Sequence, residues 1–195
     1  MIDTHAHLDA LAEPPGEVLE RARLAGVSRI VTIGSGLRSC RESLALAERE
    51  RGVFAALGIH PHQAGTAGDG ELGELALLLS HAKAVAVGET GLDHFRERAP
   101  RERQLELFRA QARLANEAGK PLVVHSRAAD GETVAVLSEV EARTVVLHCF
   151  SSAGLLPAAL ERRWYVSFAG NVTYPKAEEL RWAAAQVPAD RLLAE

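Results

Sequence analysis

Cysteine and aromatic residues are scarce in this chain of 195 residues. It contains two cysteines, Cys40 and Cys149, and aromatic side chains make up 5% of it. Two cysteines cannot form the disulfide framework of a small secreted protein, so we expect a cytoplasmic location. No apolar run reaches the roughly 18 residues that a transmembrane helix needs, and no signal-peptide pattern opens the sequence. We therefore expect a protein that does not enter a membrane.

The glycine pattern and the charge also argue against two classes of binding protein. The sequence has neither a P-loop nor the glycine-rich fingerprint of a dinucleotide-binding fold. A net charge of -4 argues against an extended nucleic-acid surface, although bound cations would add positive charge locally. With 47% hydrophobic and 25% charged residues, the composition is that of an ordinary globular protein, and the length suits one well-buried domain.

Short apolar segments alternate with helical patterns along the whole chain. Near-continuous apolar strands, each followed by a helix, indicate a parallel sheet that is buried on both faces. The predicted strands are the opening segment and residues 29–34, 53–60, 84–89, 122–126, 144–150, 164–169 and 192–195. The predicted helices are 17–24, 39–51, 71–79, 101–118, 132–139, 155–162 and 177–185. Eight such units favour a closed barrel, so we predict an α/β fold, a (β/α)8 TIM barrel in one domain over residues 1–195.

The first strand carries two histidines, His5 and His7. Residues two apart point to the same side of a strand, so these imidazoles share one side with Asp3. Neutral imidazole is a common ligand of zinc, iron and similar ions. The pair alone is weak evidence, because many such histidines are ordinary surface or core residues.

Further polar residues stand at the ends of other predicted strands. In a parallel barrel the active site lies at the carboxyl ends of the strands. Six of the eight histidines and one glutamate fall at that end: His5, His7, His60, His62, Glu89, His125 and His148. Any single one could be satisfied by a backbone carbonyl, but the cluster predicts a metal site. A catalytic zinc keeps about three protein ligands, so two ions bridged by Glu89 would use this set better. Such a centre hydrolyses phosphoesters, other esters or amides.

Five sequence motifs resemble those of the TatD-like metal-dependent hydrolases. They occur in the family's order and cover the chain from its first residue to its last. They are 3–9 (Asp-Thr-His-Ala-His-Leu-Asp), 58–62 (Gly-Ile-His-Pro-His), 88–93 (Gly-Glu-Thr-Gly-Leu-Asp), 104–111 followed by 120–127, and 148–151 (His-Cys-Phe-Ser). The resemblance implies a TIM barrel of the amidohydrolase superfamily with two divalent ions (Mg, Mn or Zn). It also implies a deoxyribonuclease, with DNA or another phosphoester as substrate.

The resemblance implies a ligand role for five residues. His5 and His7 would hold the first metal, Glu89 would bridge both ions, and His125 and His148 would hold the second. Glu89 is also the residue that we expect to act in catalysis.

The resemblance implies other roles around the metals. His60, His62 and Arg127 would contact the substrate phosphate. Asp93 would orient a ligand imidazole by accepting its other N–H, or would instead form the turn that follows Gly91. At the position after Asp93, many relatives have tyrosine where this chain has His94.

The family pattern continues beyond the last residue of this sequence. Its eighth strand ends Glu-Thr-Asp, and the aspartate binds the first metal and acts as general base, whereas this sequence ends at Glu195. We therefore expect a barrel that is truncated at the eighth strand and lacks its closing helix. Such a domain would be C-terminally incomplete, less stable, a monomer or weak homo-oligomer, and slower in hydrolysis.

Two alternative functions stay open at this point. Another amidohydrolase-superfamily enzyme, acting on a different ester or amide, would often have a metal-bridging lysine on strand four, where this chain has Glu89. A metal-binding but inactive form is the other alternative. The arginines of segment 96–103 alternate with glutamates, which favours a solvated, ion-paired surface, although guanidinium also suits phosphate.

Overall fold

Eight strands of the described chain pair in parallel, each with its neighbour in sequence. The computed structural model describes the backbone of residues 1–195 and every side chain except that of Asp69. The strands are β1 (Ile2–Ala6), β2 (Arg29–Gly34), β3 (Val53–Leu57), β4 (Ala84–Asp93), β5 (Leu122–Arg127), β6 (Val145–Leu147), β7 (Tyr165–Phe168) and β8 (Leu192–Ala194). The α-helices are α1 (Pro15–Leu24), α2 (Leu37–Arg49), α3 (Asp69–Leu79), α4 (Arg101–Ala118), α5 (Asp130–Glu139), α6 (Leu156–Glu161) and α7 (Glu178–Gln186).

The sheet curls until its first and last strands meet. The hydroxyl of Thr4 on β1 donates a hydrogen bond of 3.0 Å to the carbonyl oxygen of Ala194 on β8. Together with the strict alternation of strands and helices, this nearly closed sheet confirms the predicted TIM-barrel-like α/β fold. Within the described residues, no helix is both long and apolar enough to cross a bilayer.

The predicted bounds of the third strand were too long. β3 ends at Leu57, and residues 61–63 form a short 3-10 turn. His60 caps this turn, because its Nδ1 accepts a hydrogen bond of 3.1 Å from the backbone N–H of His62. Pro61 stands between the two histidines and has no N–H to donate to a strand ladder, so the ladder cannot continue to His62.

Two other strands differ from their predicted bounds by more than one residue at an end, whereas every helix lies within two residues of its predicted ends. β4 continues past Glu89 to Asp93, because its pairing with β5 resumes after a register shift at 87–90. β6 stops at Leu147 instead of reaching residue 150, because Cys149 has a positive φ of 43° that an extended strand does not allow. These differences place Asp93 at a strand end and His148 just beyond one.

Alternate strand residues belong to two separate apolar clusters. One cluster contains the helix residues together with strand residues such as Leu57, Leu122 and Val124. The other has no helix residue among its described members, which are Ile33, Ala56, Ala86 and Val123 with Val31 and Val146 packed against them. Since neighbouring strand residues face opposite sides of a sheet, the second cluster fills the barrel interior.

We expect Gly91→Ala to disrupt the barrel beside the histidine cluster. Gly91 has φ +135°, and a Cβ atom there would collide with the carbonyl oxygen of His125 on β5. Strained backbone and overpacking should together lower the free energy of unfolding by about 2 kcal/mol or more. Thermal and urea unfolding measure this loss.

Gly73→Ala is the matched control. Gly73 lies in α3, and no atom lies within 4 Å of its built Cβ, so alanine should raise the stability by about 0.5–1 kcal/mol. Equal stability changes for the two variants would contradict the close approach at Gly91.

Candidate metal centre

The strands aim two of the histidines into the barrel. His125 follows Val123 by two residues on β5, and His148 follows Val146 by two, just beyond β6. Val123 and Val146 belong to the interior cluster, so the alternation of side chains turns both imidazoles inward at the carboxyl end of the barrel. The fold thus places them where a TIM barrel carries its active site.

The carboxylate of Glu89 is the centre of the histidine cluster. Its Oε1 lies 2.7 Å from His148 Nε2, 2.9 Å from His125 Nδ1 and 3.4 Å from His60 Nε2. Its Oε2 lies 3.6 Å from the Nε2 atoms of both His5 and His7. Each carboxylate oxygen therefore faces a different group of imidazoles.

Burial and charge together set the protonation of Glu89 and His148. Glu89 is 3% exposed, and this burial raises its pKa. The charge on His148 and hydrogen bonds with histidines have a larger, opposite effect, so the pKa of Glu89 lies well below its usual range. Burial lowers the pKa of His148, but the carboxylates of Glu89 and Glu195 outweigh it and raise the pKa to about 9. Without a bound cation the two groups form a buried ion pair. His5 and His60 show the opposite outcome, since burial lowers the pKa of each.

Glu195 belongs to the cluster, although sequence reasoning assigned it no role. Its side chain is 4% exposed and lies 3.7 Å from His148 Nδ1 and 3.9 Å from His5 Nδ1. The backbone N–H of Cys149 donates a hydrogen bond of 2.6 Å to its Oε1. Its position just after β8 was the available signal, because the other cluster residues also stand at strand ends.

The buried polar atoms of this cluster fit a bound cation. Three groups of side chains bring one ligand atom each within 4.8 Å of one another: His5 with His148 and Glu195, His5 with His7 and Glu89, and His60 with Glu89 and His125. Several polar atoms of these side chains are buried without a hydrogen-bond partner among the described residues: His5 Nδ1, His148 Nδ1 and Glu195 Oε2. A buried polar atom without a partner is costly, and imidazole with carboxylate is a donor set that divalent metals accept.

His60 lies close enough to the Glu89 carboxylate to be a metal ligand and not only a substrate-binding residue. The sequence resemblance implied that His60 contacts phosphate, yet its Nε2 lies 3.4 Å from Glu89 Oε1, and His60 forms a potential ligand group with Glu89 and His125. His60 can therefore serve either as a metal ligand or as a neighbour of the metal, and the two roles predict different metal contents.

Asp93 connects two histidines at the end of β4. Its Oδ2 lies 2.9 Å from His62 Nε2 and 3.3 Å from His125 Nε2, the ring nitrogen that points away from Glu89. Its Oδ1 accepts the backbone N–H groups of Phe95 and Arg96 at 3.1 and 2.8 Å. Burial raises the pKa of Asp93, but the Arg96 amide and the histidines outweigh it and lower the pKa to about 2. Asp93 is thus an anion that both shapes the turn and contacts the imidazoles.

Two buried glutamines of α4 fix the backbone around these residues. Gln104 Oε1 accepts the N–H of Asp93 at 2.8 Å. Gln111 accepts the N–H of Ile59 at 2.7 Å, and its Nε2 donates to the Ile59 carbonyl at 3.0 Å and the Thr90 hydroxyl at 2.6 Å. Both glutamines are fully buried. The helix therefore positions the segments that carry His60, Glu89 and Asp93, a role that sequence reasoning did not find.

The arginine predicted to bind substrate lies at the rim of the cluster. The guanidinium carbon of Arg127 lies 4.3 Å from the centroid of the Phe95 ring, and Arg127 forms no ion pair with any described side chain.

A second rim arginine, Arg98, lines an open cleft together with His7, Ser35, His60, His62, Gln63 and Glu89. Arg98 also forms no ion pair with the described side chains, whereas Arg101 and Arg103 of the same segment pair with glutamates. The ion-paired surface predicted for segment 96–103 therefore holds only for part of it.

The two remaining histidines lie outside the cluster. His81 Nε2 lies 3.0 Å from Glu48 at the amino end of the barrel. His94 Nδ1 lies 3.0 Å from Glu132.

Comparisons with known proteins agree with one another. The model of the family described as TatD related DNase matches residues 2–195. A protein of Mycobacterium tuberculosis named uncharacterized metal-dependent hydrolase TatD is 39% identical over 206 residues, covering 100% of this chain and 78% of the relative. A protein of Cronobacter sakazakii named 3'-5' ssDNA/RNA exonuclease TatD is 35% identical, covering 92% of this chain and 70% of its own length. The crystal structure of YjjV, a TatD homologue of Escherichia coli K12, has a TM-score of 0.90 and 35% identity, covering 99% of this chain and 77% of that one.

We expect metal binding to displace one proton from His148. The carboxylates of Glu89 and Glu195 raise the pKa of His148 to about 9, compared with 6.5 for an ordinary histidine. In the metal-free protein the stabilising effect of this proton should therefore be complete below pH 6.5 and disappear as the pH rises to about 9. Because a metal needs the neutral imidazole, affinity for Mn²⁺ should rise about tenfold per pH unit towards 9.

Titration calorimetry in buffers of different ionisation enthalpy counts the released proton. His148→Ala should remove the release, whereas His81→Ala, outside the cluster, should preserve it. A metal affinity that does not change between pH 7 and 9 would contradict the pairing of His148 with Glu89.

Proposed function

Given that this chain belongs to the TatD-related DNase family of metal-dependent hydrolases, we propose that it cleaves phosphodiester bonds of single-stranded nucleic acid with two divalent ions. The supporting observation is the carboxylate of Glu89. One of its oxygens faces His5 and His7, and the other faces His125, His148 and His60. A carboxylate between two groups of imidazoles is the arrangement that a bridging ligand needs.

The side chains of this site have separate roles in the proposed reaction. Divalent ions held by these residues would activate a water molecule and neutralise the charge that develops on the phosphate. Glu89 stays anionic because its pKa is lowered. Asp93 holds the Nε2 side of the His125 ring, which leaves Nδ1 directed at Glu89 and fixes the ring for a ligand role.

The rim of the cluster supports an anionic substrate. Arg98 lines the cleft that leads to Glu89, and Arg127 lies two residues beyond His125 on the same strand. Since neither guanidinium pairs with a described carboxylate, both are available for a phosphate, which arginine binds in a bidentate way. The name of the Cronobacter sakazakii relative, a 3'-5' ssDNA/RNA exonuclease, agrees with a single-stranded substrate. The cytoplasmic location and the oligomeric state stay predictions.

We expect the protein to shorten single-stranded DNA when Mg²⁺ or Mn²⁺ is present. Glu89→Gln should reduce the rate by at least about 100-fold, because the loss of even a hydrogen-bond partner of a metal ligand costs about 10–100-fold. Gel analysis of a 5'-labelled oligonucleotide measures the products. Glu139→Gln is the matched control, since Glu139 pairs with Arg109 and Arg113 on the outer helices.

The alternative substrate for an enzyme of this family is an amide or a carboxylic ester. If our proposal is right, the parent protein should turn over a panel of N-acyl and cyclic amide substrates no faster than Glu89→Gln does. Hydrolysis of one of them, with intact oligonucleotide, would replace the proposed reaction. Metal binding with neither activity would indicate the inactive alternative.

We expect two divalent ions per chain, and we expect His60→Ala to keep both. In our assignment His60 contacts the substrate, so its loss should raise KM while the metal content stays unchanged. His125→Ala should lose one ion, because His125 is assigned as a ligand. Elemental analysis after removal of free Mn²⁺ measures the content. If His60→Ala loses an ion to the same extent as His125→Ala, His60 is a ligand and the assignment is wrong.

A further inference from the structure

Phe95 is an exposed aromatic residue beside the histidine cluster. Its side chain is 64% exposed, and its backbone N–H donates to Asp93, the carboxylate that contacts His62 and His125. Leu24 on α1 and Trp182 on α7 are exposed on outer helices, whereas Leu11 and Tyr174, like Phe95, lie in loops that follow strands at the catalytic end of the barrel. Phe95 is distinguished from these two by its backbone hydrogen bond to Asp93 in the histidine cluster.

Arg127 supports the Phe95 ring from one side. Its guanidinium carbon lies 4.3 Å from the ring centroid, a distance typical of a cation–π contact. Arg127 ends β5 two residues after His125, and Phe95 follows Asp93 by two residues. Two residues span at most about 7 Å, so Arg127 is anchored close to the proposed ligand His125, and Phe95 is anchored close to Asp93, which contacts that ligand.

The two groups offer complementary contacts to a nucleotide. The exposed part of the Phe95 ring can stack on a base, which is how proteins bind single strands with little sequence preference. Arg127 has no ion-pair partner among the described side chains, so the N–H groups at the edge of its guanidinium can bind the phosphate of the same nucleotide. An isolated apolar residue would offer the first contact without the second.

We propose that Phe95 and Arg127 form a stacking platform for a nucleobase next to the phosphodiester bond that is cleaved. This inference rests on the proposed function and names the part of the substrate that the site recognises. It assigns a binding role to Phe95 and gives Arg127 two functions, to support the ring and to bind phosphate. Recognition is expected to depend on the presence of a base and only weakly on its identity.

The test compares binding of two single-stranded ligands by Phe95→Leu and the parent protein. One ligand is a phosphorothioate-linked oligothymidylate, which resists cleavage, and the other is the same backbone with abasic sites. Phe95→Leu should weaken binding of the oligothymidylate by about 5- to 150-fold and leave binding of the abasic strand unchanged. Fluorescence anisotropy of labelled strands measures both.

Trp182→Leu is the matched control, because Trp182 is a similarly exposed aromatic residue on an outer helix, and it should bind both ligands like the parent. Phe95→Trp provides a second readout, since a stacked base should quench the fluorescence of the new indole, whereas the abasic strand should not.

Equal loss of affinity for both ligands in Phe95→Leu, or no loss for either, would overturn the platform. A change in oligomeric state without a change in base-dependent binding would likewise overturn it, because Phe95 would then serve an interface between copies.

The two proposals fail in different ways. Hydrolysis of DNA with no dependence of binding on the base at Phe95 would reject the platform and leave the proposed function intact. Base-dependent binding through Phe95 without any phosphodiester hydrolysis would reject the proposed function and leave the platform as a nucleic-acid binding site.

Discussion

The buried negative charge of Glu89 is the constraint on which the site depends. A carboxylate that is 3% exposed would be very costly to bury alone, so the surrounding groups must be cationic or bind cations. The carboxyl ends of β1, β5 and β6 direct imidazoles towards it, and His148 keeps a proton when no other cation balances the charge. The imidazoles that balance the charge of Glu89 in the metal-free site are also suitable metal ligands. A bound metal ion can replace their protons and supply the positive charge instead.

Much of this arrangement could be predicted from the sequence, because it depends on local periodicity. Apolar runs followed by helical patterns determine a parallel barrel, and in such a barrel the strand ends meet at one face. Residues such as His125 and His148 could therefore be placed together without knowledge of any contact between them. The end of α4 could also be predicted, because glycine is the usual residue after a helix; Gly119 indeed adopts the left-handed conformation that ends it.

The contacts that could not be predicted involve long separations or irregular backbone. Gln111 bonds to Ile59, 52 residues away, and no local pattern distinguishes such a glutamine from one on the surface. The extension of β4 to Asp93 follows from a shift in its pairing with β5, which periodicity does not reveal. Glu195 could be placed just after β8 from the sequence, but its contact with the backbone N–H of Cys149 joins residues that are 46 apart, and local periodicity does not reveal such a contact.

The glutamines of α4 have a consequence for how fast the site exchanges ions. Gln104 and Gln111 join Asp93 and the segment before His60 to one long helix, so this half of the site is held by a shared support. His5 lies on the other half, on β1, where a side-chain hydrogen bond from Thr4 joins it to β8. An ion held from the β1 side, to which neither glutamine bonds, should have the shorter residence time. During chelation the two proposed ions would then leave in sequence, and a species holding one ion would accumulate between them.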